Sequence, residues 1–322
     1  MIRDIIRRLA AVTARSLGYR IVAVGDDGWL VQRRDSGRRP LRVQRLDGRG
    51  WLVHRRSSSA VRRIGPPSAR THLVVDQAGA RAHMQRVQKS LSGYLSQEQV
   101  AWILRDRQIN CVLDVGANVG QFARSLRRSG YTGRIVSFEP VSHLVARLKI
   151  AAEDDPDWYV FDFALGDAPD ELEINVAHGD GKHPGTMSSL LAPSEFGQMW
   201  STKLRDQPTE VIAVRRLDSV FEDAVRGIGD PRVYLKMDTQ GYDLKAFSGA
   251  GQYLDRVLGI QSEVSCLPIY DGMPHMLDQL AVYEAAGFSP AGIYPVSRHQ
   301  TSLRVIEFDV VMVKDQISPL AS

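Results

Sequence analysis

A glycine-rich turn and the carboxylates around it carry the clearest chemical signal in this sequence of 322 residues. The strand-like run Val112-Leu113-Asp114-Val115 leads into Gly116-Ala117-Asn118-Val119-Gly120, and Glu139 follows the next apolar run. In a strand–turn–helix unit the glycines let the backbone approach a nucleotide, and an acid after the second strand accepts hydrogen bonds from the ribose. The pattern therefore predicts a nucleotide-type cofactor, with Glu139 at its ribose.

The glycine spacing and Asp114 narrow the type of cofactor. The spacing is Gly-x-x-x-Gly, whereas a dinucleotide pyrophosphate favours Gly-x-Gly-x-x-Gly. A carboxylate just before the turn suits the ammonium group of S-adenosylmethionine and repels a pyrophosphate. These residues favour a methyl donor, and the alternatives are a nicotinamide-dependent oxidoreductase or a tight turn that binds nothing.

Two acids follow later strand-like runs and are candidates for the reaction itself. Asp238 comes directly after the run 233–237, and Glu263 ends the next run. Both are expected to face the crevice beyond the carboxyl ends of the strands, where open α/β sheets bind ligands. They could share a Mg²⁺ ion that activates an acceptor hydroxyl, or Asp238 could act directly as a base. Helix capping is the structural alternative for Asp238.

Histidines and an aperiodic stretch supply further candidates. His275 follows Glu263 and is a candidate base, as is His183 in a loop of turn residues, although a loop histidine is commonly only solvated. The stretch 177–207 has the composition of a lid or acceptor pocket, with ordinary packing as the alternative. It carries Met187, Phe196, Met199 and Trp200.

The elements that must position these residues alternate between strand and helix after about residue 90. Helical periodicity covers 121–128 and 142–152. Apolar strand-like runs are expected at 111–115, 134–138, 159–161, 211–214, 233–237, 258–261 and 308–313. This alternation predicts βαβ units and a mainly parallel sheet covered on both faces.

The first 90 residues differ in both pattern and charge. They hold 19 Arg and one Lys against six Asp and no Glu, whereas the remainder is acidic. The pattern predicts a basic amphipathic helix over 2–17 and an antiparallel meander from Tyr19 to Arg56. Such a segment attracts anionic partners, which leaves open a non-catalytic module that binds lipid or nucleic acid. Nucleic acid is disfavoured, because no helix-turn-helix, zinc spacing or aromatic stacking run is present.

Composition and cysteine content exclude several classes of protein. Hydrophobic residues make up 43% and charged residues 24%, values typical of soluble globular proteins. Cys111 and Cys266 lie in apolar segments, which indicates reduced thiols and argues against a disulfide framework or a cysteine zinc site. No apolar run is long enough to span a membrane, and no secretory signal begins the sequence, so a cytosolic protein is expected.

Taken together, the motifs resemble those of the FkbM-type methyltransferases. The resemblance rests on 113–120, Phe138-Glu139-Pro140, Ala164-Leu165-Gly166, Arg216-Leu217-Asp218-Ser219, 235–243 and Glu263-Val264-Ser265, in the family's order over about 95–315. It implies a class I methyltransferase (Rossmann-like) fold, with a seven-stranded sheet whose last strand is antiparallel. One departure is Gln240, where the family usually has Glu, and this weakens any role that needs a charge there.

The resemblance also implies roles for individual residues. The donor-binding positions would be Asp114, Gly116, Asn118, Gly120, Glu139, Pro140, Asp162 and Ala164. Asp162 would be an acceptor for the adenine amino group, or else a solvated strand-end acid. Independently of the resemblance, the positions of the residues make Asp238, Glu263 and His275 the catalytic candidates, with Mg²⁺ on Asp238 and Glu263 as a further option.

The sequence therefore predicts an S-adenosylmethionine-dependent O-methyltransferase that acts on a hydroxyl, on a sugar of a glycolipid or other glycoconjugate. The expected domains are a basic N-terminal helix and β-meander over 1–68, a helical connection over 69–95, the methyltransferase domain over 96–316 and a tail over 317–322. The basic N-terminus agrees with a peripheral position at the anionic inner face of a membrane.

Overall fold

The computed structural model describes six short strands between residues 19 and 76, and then residues 84–177, 186–299, 302 and 304–314. Side-chain surroundings are described from residue 91 onward. The chain divides into two compact units, Met1–Val87 and Gln88–Ser322. The amphipathic helix predicted over 2–17 lies outside the described residues, as does His183.

The described strands of the N-terminal unit form antiparallel hairpins. Strand β1 (Tyr19–Val24) pairs with β2 (Gly28–Arg33), β3 (Leu41–Leu46) with β4 (Gly50–Arg55), and β5 (Val61–Ile64) with β6 (Leu73–Asp76). The predicted turn residues separate β1 from β2 and β3 from β4, whereas the β5–β6 hairpin lies beyond Arg56, outside the predicted meander. Among the described strands the hairpins are three separate sheets, not one continuous meander.

The C-terminal unit is built on a large twisted sheet and a smaller one. Its strands are β7 (Cys111–Val115), β8 (Arg134–Phe138), β9 (Trp158–Phe161), β10 (Ala164–Leu165), β11 (Asp170–Asn175), β12 (Thr209–Arg215), β13 (Val233–Met237), β14 (Val257–Ser265), β15 (Phe288–Arg298) and β16 (Val305–Lys314). Seven of them form one sheet in the order β15-β16-β14-β13-β7-β8-β9. Strands β10, β12 and β11 form a separate three-stranded sheet.

Helices connect these strands. They are α1 (Met84–Asp106), α2 (Gln121–Arg128), α3 (Ser142–Ala152), α4 (Glu195–Trp200), α5 (Leu217–Ala224), α6 (Asp243–Ser248) and α7 (Met276–Ala285). The predicted helices α2 and α3 have the bounds that their periodicity indicated. The pairs β7–β8, β8–β9, β7–β13 and β13–β14 are parallel, whereas β16 runs antiparallel to both β14 and β15. The predicted class I methyltransferase fold, with its antiparallel last strand, is confirmed.

The central strands are mainly apolar on both faces because helices cover the sheet on both sides. All five residues of β7 are buried. Leu113 packs with Leu235 and Phe221 on one face, and Val112 packs with Ile135 on the other. Truncating a buried leucine such as Leu113 to alanine typically costs about 2–5 kcal/mol of stability. Strands packed this tightly have little freedom to move, so the crevice above them keeps a fixed shape.

Two negative expectations of the sequence concern the thiols and the membrane. Cys111 is buried and Cys266 half-buried, and both are free thiols. Within the described residues, no helix has the length and apolar character needed to cross a bilayer.

Candidate functional site

One cavity of about 410 Å³ opens above the carboxyl ends of the parallel strands. It has the size of a typical small-molecule site. Its wall extends from Glu139, after β8, past Asp238, after β13, to Asp309 on the antiparallel strand β16. We call the end near Glu139 the donor half and the end formed by Asp238, Gln240, Glu263, Glu307 and Asp309 the acceptor half.

The glycine turn brings the backbone of the donor half close to the neighbouring strand. Gly116, Asn118 and Gly120 all adopt positive φ angles, of 73°, 51° and 80°. A Cβ atom at Gly116 would overlap the carbonyl oxygen of Asp238, so only glycine fits there. Gly116 and Asn118 line the cavity, whereas Gly120 packs against Trp158 at the start of α2. The predicted donor-binding role of Gly120 is therefore replaced by a structural one.

Glu139 is the carboxylate that the fold presents to the donor half. It is buried, yet it lines the cavity. Its Oε2 accepts a hydrogen bond from the backbone N–H of Asn118 at 2.8 Å, and its Oε1 accepts one from Val141 at 3.0 Å. Burial raises the pKa of Glu139 from 4.5 to about 7. Each oxygen retains a lone pair, so the fixed side chain can accept two further hydrogen bonds, as a ribose diol requires.

An apolar wall continues the donor half beyond Glu139. It comes from the start of α3 and from the smaller sheet, which explains why residues distant in sequence share it. Its members are Pro140, Leu144, Ala164, Leu165 and Ile174. Such a wall suits a flat heterocyclic base.

Asp162 does not belong to this wall. It is exposed and pairs with Lys149 at 3.1 Å, and it does not line the cavity. Its hydrogen bond to Lys149 lowers the pKa of the Asp162 carboxyl. The structure therefore places Asp162 as the solvated strand-end acid that was the alternative to an adenine role.

Asp114 and Lys236 form a buried ion pair beneath the cavity. The Asp114 side chain is fully buried and does not line the cavity. Lys236 Nζ lies 3.1 Å from Asp114 Oδ1, 3.4 Å from Asp238 Oδ2 and 3.4 Å from the Gly116 carbonyl oxygen. Burial lowers the pKa of Lys236, but the carboxylates of Asp114 and Asp238 outweigh it, so the pKa lies above its ordinary value. The expected contact between Asp114 and a donor ammonium is replaced by this pair, because a side chain without exposed surface cannot meet a ligand directly.

Asp238 and Glu263 meet at the acceptor half, as the sequence predicted, and an amide bridges them. Gln240 Nε2 donates to Asp238 Oδ1 at 3.1 Å and to Glu263 Oε2 at 2.7 Å. The Asp238 side chain is 38% exposed. Burial, followed by the charges of Glu307, Asp238 and Asp309, raises the pKa of Glu263 well above its ordinary value. Glu263 is thus suited to holding a proton, and Asp238 is the more exposed carboxyl group of the two.

The antiparallel strand β16 contributes acids that the sequence reasoning missed. Glu307 and Asp309 line the cavity, and Asp309 stands opposite Glu263 in the β14–β16 register. Ser297 Oγ donates to Glu307 Oε2 at 2.7 Å. The available signal was the pair of acids, spaced by two, in the otherwise apolar Val305-Ile306-Glu307-Phe308-Asp309, since that spacing puts both on one face of a strand.

Asp243 fixes the ends of the two strands that carry these acids. Its carboxylate is buried and accepts hydrogen bonds from the backbone N–H of Thr239 at 2.8 Å, from Ser262 Oγ at 2.6 Å and from the backbone N–H of Glu263 at 3.2 Å. Thr239 follows Asp238, so this one carboxylate ties both candidate catalytic positions together.

The roof of the cavity comes from the stretch predicted as a lid or pocket. Its lining residues are Thr186, Met187, Ser188, Leu190 and Trp200. Phe196 is half-buried in a neighbouring apolar cluster, and Met199 is 67% exposed. Residues 178–185 of this stretch lie outside the described residues.

His275 does not reach the cavity. It is the N-cap residue of α7, where its Nδ1 accepts a hydrogen bond from the backbone N–H of Leu277 at 3.3 Å. The Nδ1 atom of His275 is thus used to cap the helix, and the ring lies outside the cavity. The predicted role of His275 as a base is therefore corrected to a structural role.

The described residues do not fit the predicted Mg²⁺ site. Among them, no group of three or more His, Cys, Asp or Glu side chains could hold a metal ion. Between Asp238 and Glu263, the position that a shared cation would take holds the Gln240 amide nitrogen, whose hydrogens point at both carboxyl groups. A metal role for this pair is therefore not supported.

Fold and cavity together define a class I methyltransferase. The sequence model of the methyltransferase FkbM domain matches residues 114–290, which is more than half of the chain. The chain belongs to the FkbM methyltransferase family, as its motifs predicted. No curated protein matches it significantly.

Solved structures of similar fold have low sequence identity to this chain. A putative methyltransferase from Thermobifida fusca is 10% identical, with 74% of this chain and 88% of that chain covered and a TM-score of 0.42. A putative S-adenosylmethionine-dependent methyltransferase from Listeria monocytogenes is 8% identical, with 71% and 100% covered and a TM-score of 0.38. Aeropyrum pernix fibrillarin, solved with natively bound S-adenosyl-L-methionine, is 12% identical, with 63% and 66% covered and a TM-score of 0.34.

Proposed function

We propose that this protein transfers the methyl group of S-adenosylmethionine to a hydroxyl oxygen, on a sugar of a glycolipid or other glycoconjugate. The observation that carries the proposal is the shared cavity, in which Glu139 lies at one end and Asp238 further along the same wall. A nucleoside-type donor and an acceptor hydroxyl can therefore lie in line between them.

The donor half suits S-adenosylmethionine in three respects. Glu139 offers two fixed carboxylate oxygens to a ribose diol, and the wall of Leu144, Ala164 and Ile174 offers an apolar face to adenine. The turn at Gly116 is closely packed and has no side chain, so the ligand can approach the backbone there. When bound, the donor supplies an electrophilic methyl group on a sulfonium, a cation that the carboxyl-rich cavity attracts.

The chain's own residues then prepare the acceptor. Asp238 takes the proton of the hydroxyl, and Lys236 Nζ, 3.4 Å from Asp238 Oδ2, holds that carboxyl group in place. Gln240 and Asp243 fix the approach of the acceptor by holding the ends of β13 and β14. Orientation of this kind can supply several kcal/mol of the activation barrier.

A sugar acceptor is supported by the chemistry of the acceptor half. Sugar hydroxyls donate hydrogen bonds. The acceptor half offers them acceptor oxygens on four carboxyl groups and one amide, those of Asp238, Glu263, Glu307, Asp309 and Gln240. Trp200 on the roof adds an aromatic surface. The arginine-rich first 90 residues support a peripheral position near anionic lipid.

The test is methyl transfer from isotope-labelled S-adenosylmethionine to a glycolipid extract, with the products identified by mass spectrometry. We expect the label in a methyl ether, in which the methyl group is bonded to a sugar oxygen. Such an ether is stable to base treatment. Label found only in base-labile methyl esters or on amines contradicts transfer to a hydroxyl, and no label in any fraction contradicts the enzyme assignment.

A further inference from the structure

Gln240 occupies the gap between the two candidate catalytic carboxyl groups. Its amide nitrogen lies 3.1 Å from Asp238 Oδ1 and 2.7 Å from Glu263 Oε2. Gln240 reaches this position from a left-handed backbone conformation, with φ of 54°. A non-glycine residue in that region is strained, which indicates that the surrounding structure holds it there.

The orientation of the amide follows from its neighbours. On its other side, Gln240 Oε1 lies 2.9 Å from the hydroxyl of Tyr270, a buried residue whose hydroxyl also lies 3.0 Å from the Met187 carbonyl oxygen. The hydroxyl has a single hydrogen, which it donates to one of these two oxygens at a time. A reversed amide would set its oxygen against the carboxylate of Asp238, which the electrostatics forbid.

We propose that Gln240 takes the place of a bridging cation, so that Asp238 and Glu263 work as a metal-free pair and Gln240 is their positioning residue. This inference rests on the proposed function. A divalent cation between two carboxyl groups fixes their separation, and the two N–H groups of Gln240 do this without a metal.

The reaction balances without a further reactant. The hydroxyl oxygen forms a bond to the methyl carbon while the carbon–sulfur bond breaks and its electron pair stays on sulfur. The hydroxyl proton passes to the carboxylate of Asp238. Gln240 keeps both of its hydrogens throughout, so it positions and does not transfer protons.

The direct experiment is a calorimetric titration of MgCl₂, and separately of MnCl₂, into protein saturated with S-adenosylhomocysteine. We expect no saturable metal binding by the natural chain. We expect Gln240→Glu to bind one metal ion per chain, since it completes a set of three carboxylates, and the double variant with Asp238→Asn to lose that binding. Gln252→Glu, at an exposed position outside the cavity wall, is the control for added charge and should bind none.

Two results overturn the inference. One is metal binding by the natural chain that Asp238→Asn abolishes. The other is a folded Gln240→Glu protein, judged by its unchanged melting temperature and S-adenosylhomocysteine affinity, that binds no metal. Should that variant fail to fold, a chelator added to methyl transfer by the natural chain decides: an unchanged rate supports the inference, and a lost rate that Mg²⁺ restores overturns it.

The positioning role has its own readout in the kinetic constants. Gln240→Leu removes both N–H donors that hold Asp238 and Glu263, so kcat should fall while the KM for S-adenosylmethionine and the melting temperature stay unchanged. A lower melting temperature together with weaker S-adenosylhomocysteine binding would contradict positioning and indicate a purely structural role.

Failure of this inference can be told apart from failure of the proposed function. If the natural chain does not bind S-adenosylhomocysteine, the proposed function is wrong. If it binds S-adenosylhomocysteine and also a metal at Asp238, the methyltransferase assignment stands and only the metal-free pair is wrong.

Discussion

The two halves of the cavity are built in different ways. The donor half uses the ends of adjacent parallel strands, and its one acid, Glu139, is held by the backbone N–H groups of Asn118 and Val141. The acceptor half brings together acids from β13, β14 and the antiparallel β16, and an amide, a lysine and a buried aspartate hold them. The difference indicates that the donor half depends on local backbone geometry, whereas the acceptor half depends on distant side chains that restrain one another.

The largest expected effect is on the rate of methyl transfer when the proton acceptor in the acceptor half is changed. Asp238→Asn should lower methyl transfer by about 10²–10⁴-fold, because an amide cannot take the hydroxyl proton. S-adenosylhomocysteine affinity, measured by calorimetry, should stay unchanged because Glu139 is untouched. Asp223→Asn on the exposed end of α5 is the matched control. A variant at position 238 that keeps most of its activity would remove Asp238 from catalysis.

The next effect concerns the donor half alone. Glu139→Ala removes two hydrogen bonds to the ribose that are worth about 0.5–1.5 kcal/mol each, so S-adenosylhomocysteine affinity should fall by about 10–100-fold. The maximal rate at saturating donor should change little. Calorimetry and a KM and kcat comparison measure both quantities, and an unchanged affinity would place the ribose elsewhere.

A stability measurement tests the environment of Glu139 without any ligand. Its pKa is raised to about 7, so between roughly pH 4.5 and pH 7 the folded protein binds more protons than the unfolded chain. The free energy of unfolding should therefore fall as the pH rises through this window, by about 3 kcal/mol relative to Glu139→Gln. Urea denaturation of both proteins at either end of the window measures this, and parallel pH dependences would contradict the burial of an ionisable carboxyl.

The smallest expected effect is that of Asp162, which lies outside the donor half. Asp162→Asn removes an exposed ion pair with Lys149, which is worth about 0–1 kcal/mol, and should leave S-adenosylhomocysteine affinity unchanged. A large loss of affinity in the same calorimetric assay would instead restore the adenine role that the resemblance implied.

The sequence predicted the fold and part of the donor half because their signals are local, whereas the predicted Asp114, Gly120 and Asp162 lie outside the cavity wall. The strand at 111–115, the glycine turn and Glu139 form one continuous unit whose periodicity and turn residues are visible without tertiary contacts. Helices 121–128 and 142–152 were equally well defined, since a stripe of apolar residues must face the sheet.

The acceptor half could not be predicted to the same depth because its contacts depend on three-dimensional placement. The ion pair between Lys236 and Asp114 depends on the β7–β13 register, in which the two residues stand opposite each other. The bridge made by Gln240 needs the positive φ of that residue and the buried hydroxyl of Tyr270. His275 shows the converse case, because its proximity to Glu263 in sequence favoured a catalytic role and its position at the start of α7 gives it a capping role.

Calorimetric titration of the natural chain with S-adenosylhomocysteine and with NADH tests the central claim most directly. We predict saturable binding of one S-adenosylhomocysteine per chain, weakened by Glu139→Ala, and no binding of NADH. Binding of NADH without binding of S-adenosylhomocysteine would contradict the assignment of this cavity to a methyl donor.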